Sequence, residues 1–146
     1  VYKRQWIDTT PNELKSLINK TNILLINESE IIELTKLNEL KKAAQMVMSM
    51  GPEKIIVKQG SKGARCYSKD NEISIGVYPV SKVVDPTGAG DVFGGGFVSG
   101  LAEGLSFYDS MRRGTALASF CIENFGVNRL LDISLDELDH RINSLE

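Results

Sequence analysis

Histidine and tryptophan occur once each in the 146 residues, cysteine twice and proline four times. The single histidine, His140, sits near the C-terminus among charged residues and reads as a solvated helix position. Histidine-based triads and zinc sites therefore lack their central residue. Cys66 and Cys121 form no CxxC pair and have no metal-ligand spacing. They read as small buried hydrophobes in a reduced, cytoplasmic setting. No apolar run approaches the roughly 18 residues of a membrane span. No Gly-Lys dipeptide exists, so there is no P-loop. Lysines and arginines are scattered at a net charge of −2. That balance offers neither a basic stripe for nucleic acid nor a polybasic patch for a membrane surface.

What is present is an ordinary globular composition, 42% hydrophobic and 25% charged. The length suits one domain with its own core over residues 1–146. The chain begins with Val1, Tyr2, Lys3, Arg4, Gln5 and Trp6, which is no secretory pattern. Trp6 and Ile7 read as the tail of a preceding strand or loop.

Pro11 and Glu13 open a helix predicted to run to about Asn19. The apolar run at 23–26 and the run at 54–58 predict strands buried on both faces. Helices are predicted over 29–36 and 38–49, the second stopped by Gly51 and Pro52. A hairpin is expected from 64–68 and 72–77, and another extended stretch over 80–84. Helices are expected from Asp91 to about Glu103, over 107–124 and over 134–145. Ser134 and Glu137 make a capping box for the last. Alternating strands and helices predict an α/β fold with a mostly parallel sheet covered by helices.

The chemistry concentrates in residues 84–97, where a loop of small residues runs straight into a helix. The N–H groups of Gly88, Ala89 and Gly90 cannot all be satisfied within that helix. They lie at the positive end of its dipole, and small side chains let an anion approach closely. Asp91 beside them would repel a bare phosphate. It makes sense as a base that takes a proton from an attacking hydroxyl. Taken alone, the same residues also describe a glycine-rich turn before a tightly packed helix. The spacing is not GxGxxG, because Phe93 stands at the third glycine position.

The segment resembles the C-terminal signature of the ribokinase-like (PfkB) carbohydrate kinases, roughly D-x-T-G-A-G-D-x-F. It matches at Asp85, Thr87, Gly88, Ala89, Gly90, Asp91 and Phe93. Asn27, Glu28, Ser29 and Glu30 resemble the family's N-x-x-E motif. Residues 58–64 resemble its nucleotide loop, with Lys58 in place of the usual Thr and Gln59 in place of Leu.

The resemblance implies a Rossmann-like ribokinase fold, of which this chain is the C-terminal, ATP-binding half. It implies ATP and Mg²⁺ as cofactors and a small sugar or nucleoside as acceptor. Asp91 would be the catalytic base, and residues 88–91 the anion hole. Asn27, Lys58, Gly60, Ser61 and Gly63 would line the nucleotide site. Glu30 would order water around Mg²⁺, and Asp85 and Thr87 would border a site for K⁺. Without the resemblance, Asn27 and Glu30 read as a helix-start cap and a solvated acid, residues 60–63 as a glycine turn, and Asp85 as a loop fastener. No sugar-specificity motif is present. A nucleotide-binding fragment without turnover, or a regulatory relative of the same fold, remains an alternative, and a homodimer is left open.

Overall fold

The computed structural model describes residues 3–145, which form two compact units. Among the described residues, the first comprises 3–60 and 64–74, and the second 61–63 and 75–145.

The first unit carries a mixed sheet in the order β1-β2-β3-β4: β1 (Ile23–Asn27), β2 (Lys54–Lys58), β3 (Ala64–Ser68) and β4 (Glu72–Ile75). Strands β1 and β2 run parallel, with Asn27 opposite Lys58, and β2 and β3 run antiparallel. Four helices accompany them: α1 (Lys3–Thr9), α2 (Pro11–Asn19), α3 (Glu28–Thr35) and α4 (Leu40–Met48). Ala43, Ala44 and Val47 sit at helical spacing on α4 and are fully buried. They join Ile18, Ile26, Ile31, Ile55, Val57 and Tyr67 in one core. Removing a methylene-rich side chain such as Ile31 from such a core costs about 2–5 kcal/mol.

The expectation of burial on both faces holds for β2, whose three central residues are all buried. It fails for β1, where only Ile26 is buried. Strand β1 has one ladder partner among the described residues and stands at the sheet edge. Trp6 and Ile7 belong to helix α1, not to a strand or loop.

The second unit is built on α5 (Ala89–Ala102), α6 (Phe107–Cys121) and α7 (Leu135–Asn143). Helices α5 and α6 approach closely through small residues. A Cβ on Gly96 would lie 2.9 Å from Gly114 Cα, and one on Gly114 would lie 2.6 Å from the Phe93 carbonyl oxygen. Phe97 packs edge-on against Phe107, with ring centroids 5.0 Å apart. Arg141 ties α7 to the end of α6. It grips both Glu123 oxygens at 3.0 and 2.9 Å and donates to Ser119 Oγ at 2.8 Å. Its guanidinium lies 3.5 Å from the Phe120 ring centroid. The capping box of Ser134 and Glu137 forms as expected.

Several boundaries move, and one expected strand is absent. Helix α5 begins at Ala89, two residues before Asp91, because Gly88 serves as its N-cap. Helix α6 ends at Cys121 rather than Asn124. Residues 80–84 form no strand: the Val84 N–H donates to Ile122 O at 2.8 Å instead of to a ladder.

Candidate active site

In the first unit, the C-terminal ends of the parallel strands β1 and β2 place Asn27 and Lys58 side by side. That is where open α/β sheets bind ligands, since the chain turns away there and leaves a crevice. A groove of about 370 Å³ lies at this point, lined by Asn27, Glu28, Ser29, Ile32, Lys58, Gln59 and Gly60. Asn27 and Glu30 are locked together. Asn27 Oδ1 accepts from the Glu30 N–H at 2.8 Å, and Glu30 Oε2 accepts from the Asn27 N–H at 2.9 Å. This is a capping box at the start of α3, so the helix-start reading of the pair is physically present. Glu30 is buried rather than solvated. Gln59 Nε2 reaches Glu28 Oε1 at 3.5 Å across the groove. The sequence reading missed Glu28, Ser29, Ile32 and Gln59 as lining residues. The signal was available in the strand register, which sets residues after β1 beside residues after β2.

Ser61 is exposed on the short 3₁₀ turn Gly60–Lys62. Gly60 has φ +58° with open space around its Cα, as a backbone meant to be approached would have. Gly63 differs. Its φ is +87°, and a Cβ there would fall 2.0 Å from the Ile75 carbonyl oxygen. Close packing alone requires glycine at this position.

In the second unit, residues 84–91 form a tightly fastened loop. The N–H groups of Val84 and Asp85 both donate to Ile122 O, at 2.8 and 3.3 Å. Asp85 Oδ1 accepts from the Thr87 N–H at 2.9 Å. Hydrogen bonds from the Thr87 side chain, then its backbone, hold the Asp85 carboxyl below the usual carboxylate range, with a smaller contribution from the Gly126 backbone and desolvation opposing. The Ala89 N–H then closes a β-turn on Pro86 O at 3.3 Å. Gly88 at the third turn position has φ 81° and ψ −10°, the geometry of a type II turn.

Of the three N–H groups expected to face an anion, that of Ala89 is thus used by the turn, and Gly90 has a partner of its own. The Gly88 N–H has no acceptor among the described residues. Asp91 lies in the first turn of α5, exposed, and its carboxylate has no hydrogen bond or ion pair among the described residues. A carboxylate left free beside an open donor is chemically able to take a proton from a hydroxyl while the donor faces negative charge.

The residues therefore gather in two groups. Asn27, Glu30, Lys58 and Gly60 meet in the first unit; Asp85, Thr87, Gly88, Ala89, Gly90 and Asp91 meet in the second. Cys66 and Cys121 are both buried free thiols, and burial pushes Cys66 up to about 11. No group of three or more His, Cys, Asp or Glu able to cage a metal occurs among the described residues. One oxygen of Glu30 is already spent on its cap. That donor set fits a hard cation carried largely by water and phosphate oxygens, and does not fit a protein-enclosed site. No described helix is long and apolar enough to cross a membrane.

Comparison with known proteins gives the family and the fold. Residues 1–133 match the pfkB family carbohydrate kinase pattern, and the chain belongs to that family. It is 38% identical over 125 residues to an uncharacterized sugar kinase of Archaeoglobus fulgidus, covering 85% of this chain and 49% of that protein. It is 36% identical over 115 residues to a nucleoside kinase of Methanocaldococcus jannaschii, covering 77% of this chain and 36% of the other. Among solved structures, a putative ribokinase II of E. coli in complex with ATP and Mg²⁺ superposes with a TM-score of 0.83. There the identity is 27%, over 97% of this chain and 46% of that one. The fold is that of the ribokinases. The chain spans about half the length, or less, of the relatives it matches.

Proposed function

We propose that this chain is the ATP-binding and catalytic part of a kinase that transfers the γ-phosphoryl group of ATP to a hydroxyl of a sugar or nucleoside. Family membership makes phosphoryl transfer the natural chemistry. The observation that carries the residue assignment is the type II turn feeding α5, with the Gly88 N–H open and the Asp91 carboxylate free. In this reading, Asp91 accepts the proton as the acceptor oxygen forms its bond to phosphorus. The bond to the leaving ADP oxygen breaks, and the Gly88 N–H faces the charge on the transferred group. Such transfer needs positioning and neutralisation rather than a protein nucleophile, and this loop offers both.

Asn27, Lys58, Gly60 and Ser61 would hold the nucleotide phosphates, with Lys58 supplying the positive charge that the usual threonine lacks. Magnesium would arrive with ATP and neutralise its phosphate oxygens. Glu30 would meet it through water, a role compatible with the oxygen that it keeps free of its cap. Asp85 and Thr87 would border a monovalent cation. The setting inferred from the reduced thiols is cytoplasmic.

The direct test is transfer of labelled phosphate from ATP, in magnesium, by the full protein to a panel of sugars and nucleosides. Turnover of at least one alcohol acceptor is expected; ATP binding with no labelled product from any acceptor would contradict the proposal. A second reading is a nucleotide-binding protein of this fold without turnover. Under it, ATP would bind and no acceptor would be labelled. The intact Gly-Ala-Gly-Asp at 88–91 argues against a regulatory relative, whose simplest mark would be loss of the base.

A further inference from the structure

The loop that ends at Asp91 is fastened from below by the last turn of α6. Cys121 closes that helix, fully buried, and its single S–H is shared between two carbonyl oxygens: Gly126 O at 3.4 Å and Thr87 O at 3.8 Å. Burial, and then the negative charge of Asp85, raise the Cys121 pKa, so the thiol stays a protonated donor. Its place is thus structural rather than nucleophilic.

The Thr87 carbonyl is half of a particular peptide unit. The other half is the Gly88 N–H, the open donor of the turn. In a planar trans peptide the C=O and N–H point in opposite directions. Seating the Thr87 oxygen against the thiol therefore turns the Gly88 N–H away from the protein interior.

The constraint matters because this peptide has a competing orientation. Type I and type II turns differ by a flip of their central peptide, here the one joining Thr87 to Gly88. A third-position glycine tolerates either sign of φ, so Gly88 does not choose between them by itself. A flip would carry the Gly88 N–H to the side where the Thr87 oxygen now lies, leaving a carbonyl facing any incoming anion.

We propose that Cys121 is a positioning residue: its thiol selects the type II turn and so aims the Gly88 N–H at the group being transferred. The proposal rests on the kinase reading for its consequence and on the turn geometry alone for its cause. Two other fasteners, the Ile122 carbonyl and the Asp85 carboxylate, hold Val84, Asp85 and the Thr87 N–H. Neither touches the peptide that carries the Gly88 N–H.

The test compares Cys121→Val, which keeps most of the volume without a donor, with Cys121→Ser, which keeps a donor on a shorter bond. Both are made in the full protein. In Cys121→Val the Gly88 amide resonance is expected to show exchange with a second conformer, with melting temperature within a few degrees of wild type. Turnover with ATP is expected to fall about tenfold while KM for ATP stays within about twofold, since an aimed donor acts on the transferred charge rather than on binding. Cys121→Ser is expected to recover at least half of that loss. Should the valine variant not fold, Cys121→Ala serves with the same readouts. An unchanged Gly88 resonance and turnover without the thiol would overturn the proposal. So would serine behaving no better than alanine, because the thiol would then act by packing alone. If the wild-type protein transfers no phosphate, the functional reading fails, and the Gly88 resonance still decides whether the thiol selects the turn.

Discussion

Gly88 shows how one residue links backbone chemistry to function. Nothing lies within 4 Å of a Cβ built there, so space does not require glycine; φ of +81° does. A β-branched side chain in that region of φ is strained by about 1–2 kcal/mol and would stand beside the open N–H. Gly88→Val is therefore expected to leave the protein folded and to lower kcat/KM with ATP about a hundredfold; an unchanged kcat/KM in a folded variant would remove Gly88 from the site. Asp85 is the second case. Its carboxyl is held ionised by Thr87 and sits one residue before the turn. If a cation binds there, its charge strengthens the field that the loop presents. Turnover of the full protein is then expected to rise in potassium over tetramethylammonium at equal ionic strength, and equal rates would restrict Asp85 to fastening the loop. The chemically distinctive residues, Asp91 and Gly88, were legible from the sequence because their pattern is local. Cys121 was not, because its contact with Thr87 spans 34 positions and no local periodicity records it.

At the scale of elements, α5 and α6 depend on contact that no larger residue permits. A methyl group on Gly114 would meet the Phe93 carbonyl oxygen at 2.6 Å, and backbone on both sides cannot easily give way. Gly114→Ala is expected to destabilise the protein by about 1–3 kcal/mol, read as a lower urea midpoint at constant slope. Gly95 faces open space, so the same substitution there should be tolerated within about 0.5 kcal/mol or stabilise the helix. Strand β1 is the other sensitive element. It has one ladder partner among the described residues, and Ile23, Leu24 and Leu25 are only partly covered. An apolar strand at a sheet edge recruits other strands. The 146-residue chain alone is expected to self-associate through β1 in light scattering, and Leu24→Lys to reduce it; a monodisperse monomer would contradict this. Elements set by local rules were readable: β2 has the predicted bounds, and Ser134 with Glu137 caps α7. The stretch at 80–84 was misread as a strand because its backbone bonds to a distant segment instead of to a ladder. Its Val84 N–H is taken by the end of α6, which alternation cannot reveal. The first helix was missed as well, and α5 starts early because glycine is an adequate N-cap.

For the molecule as a whole, we propose that this pfkB-family chain supplies a nucleotide groove in one unit and a phosphoryl-facing turn with its base in the other. The sequence named Asn27, Lys58 and Gly60 of the groove and the residues of the turn, but not Glu28, Ser29, Ile32 or Gln59, and not the acceptor, since it carries no sugar-specificity motif. The claim most exposed to test is that Asp91 removes the acceptor proton. Amide and carboxylate are close in shape, but only the carboxylate can take that proton, and a positioned general base is worth about 10²–10⁴-fold. The decisive measurement compares wild type and Asp91→Asn in the full protein, recording ATP affinity by calorimetry and turnover by transfer of labelled phosphate. ATP affinity is expected to stay within about threefold while turnover falls by at least about a hundredfold. An Asp91→Asn protein that keeps more than about a tenth of wild-type turnover would contradict the account.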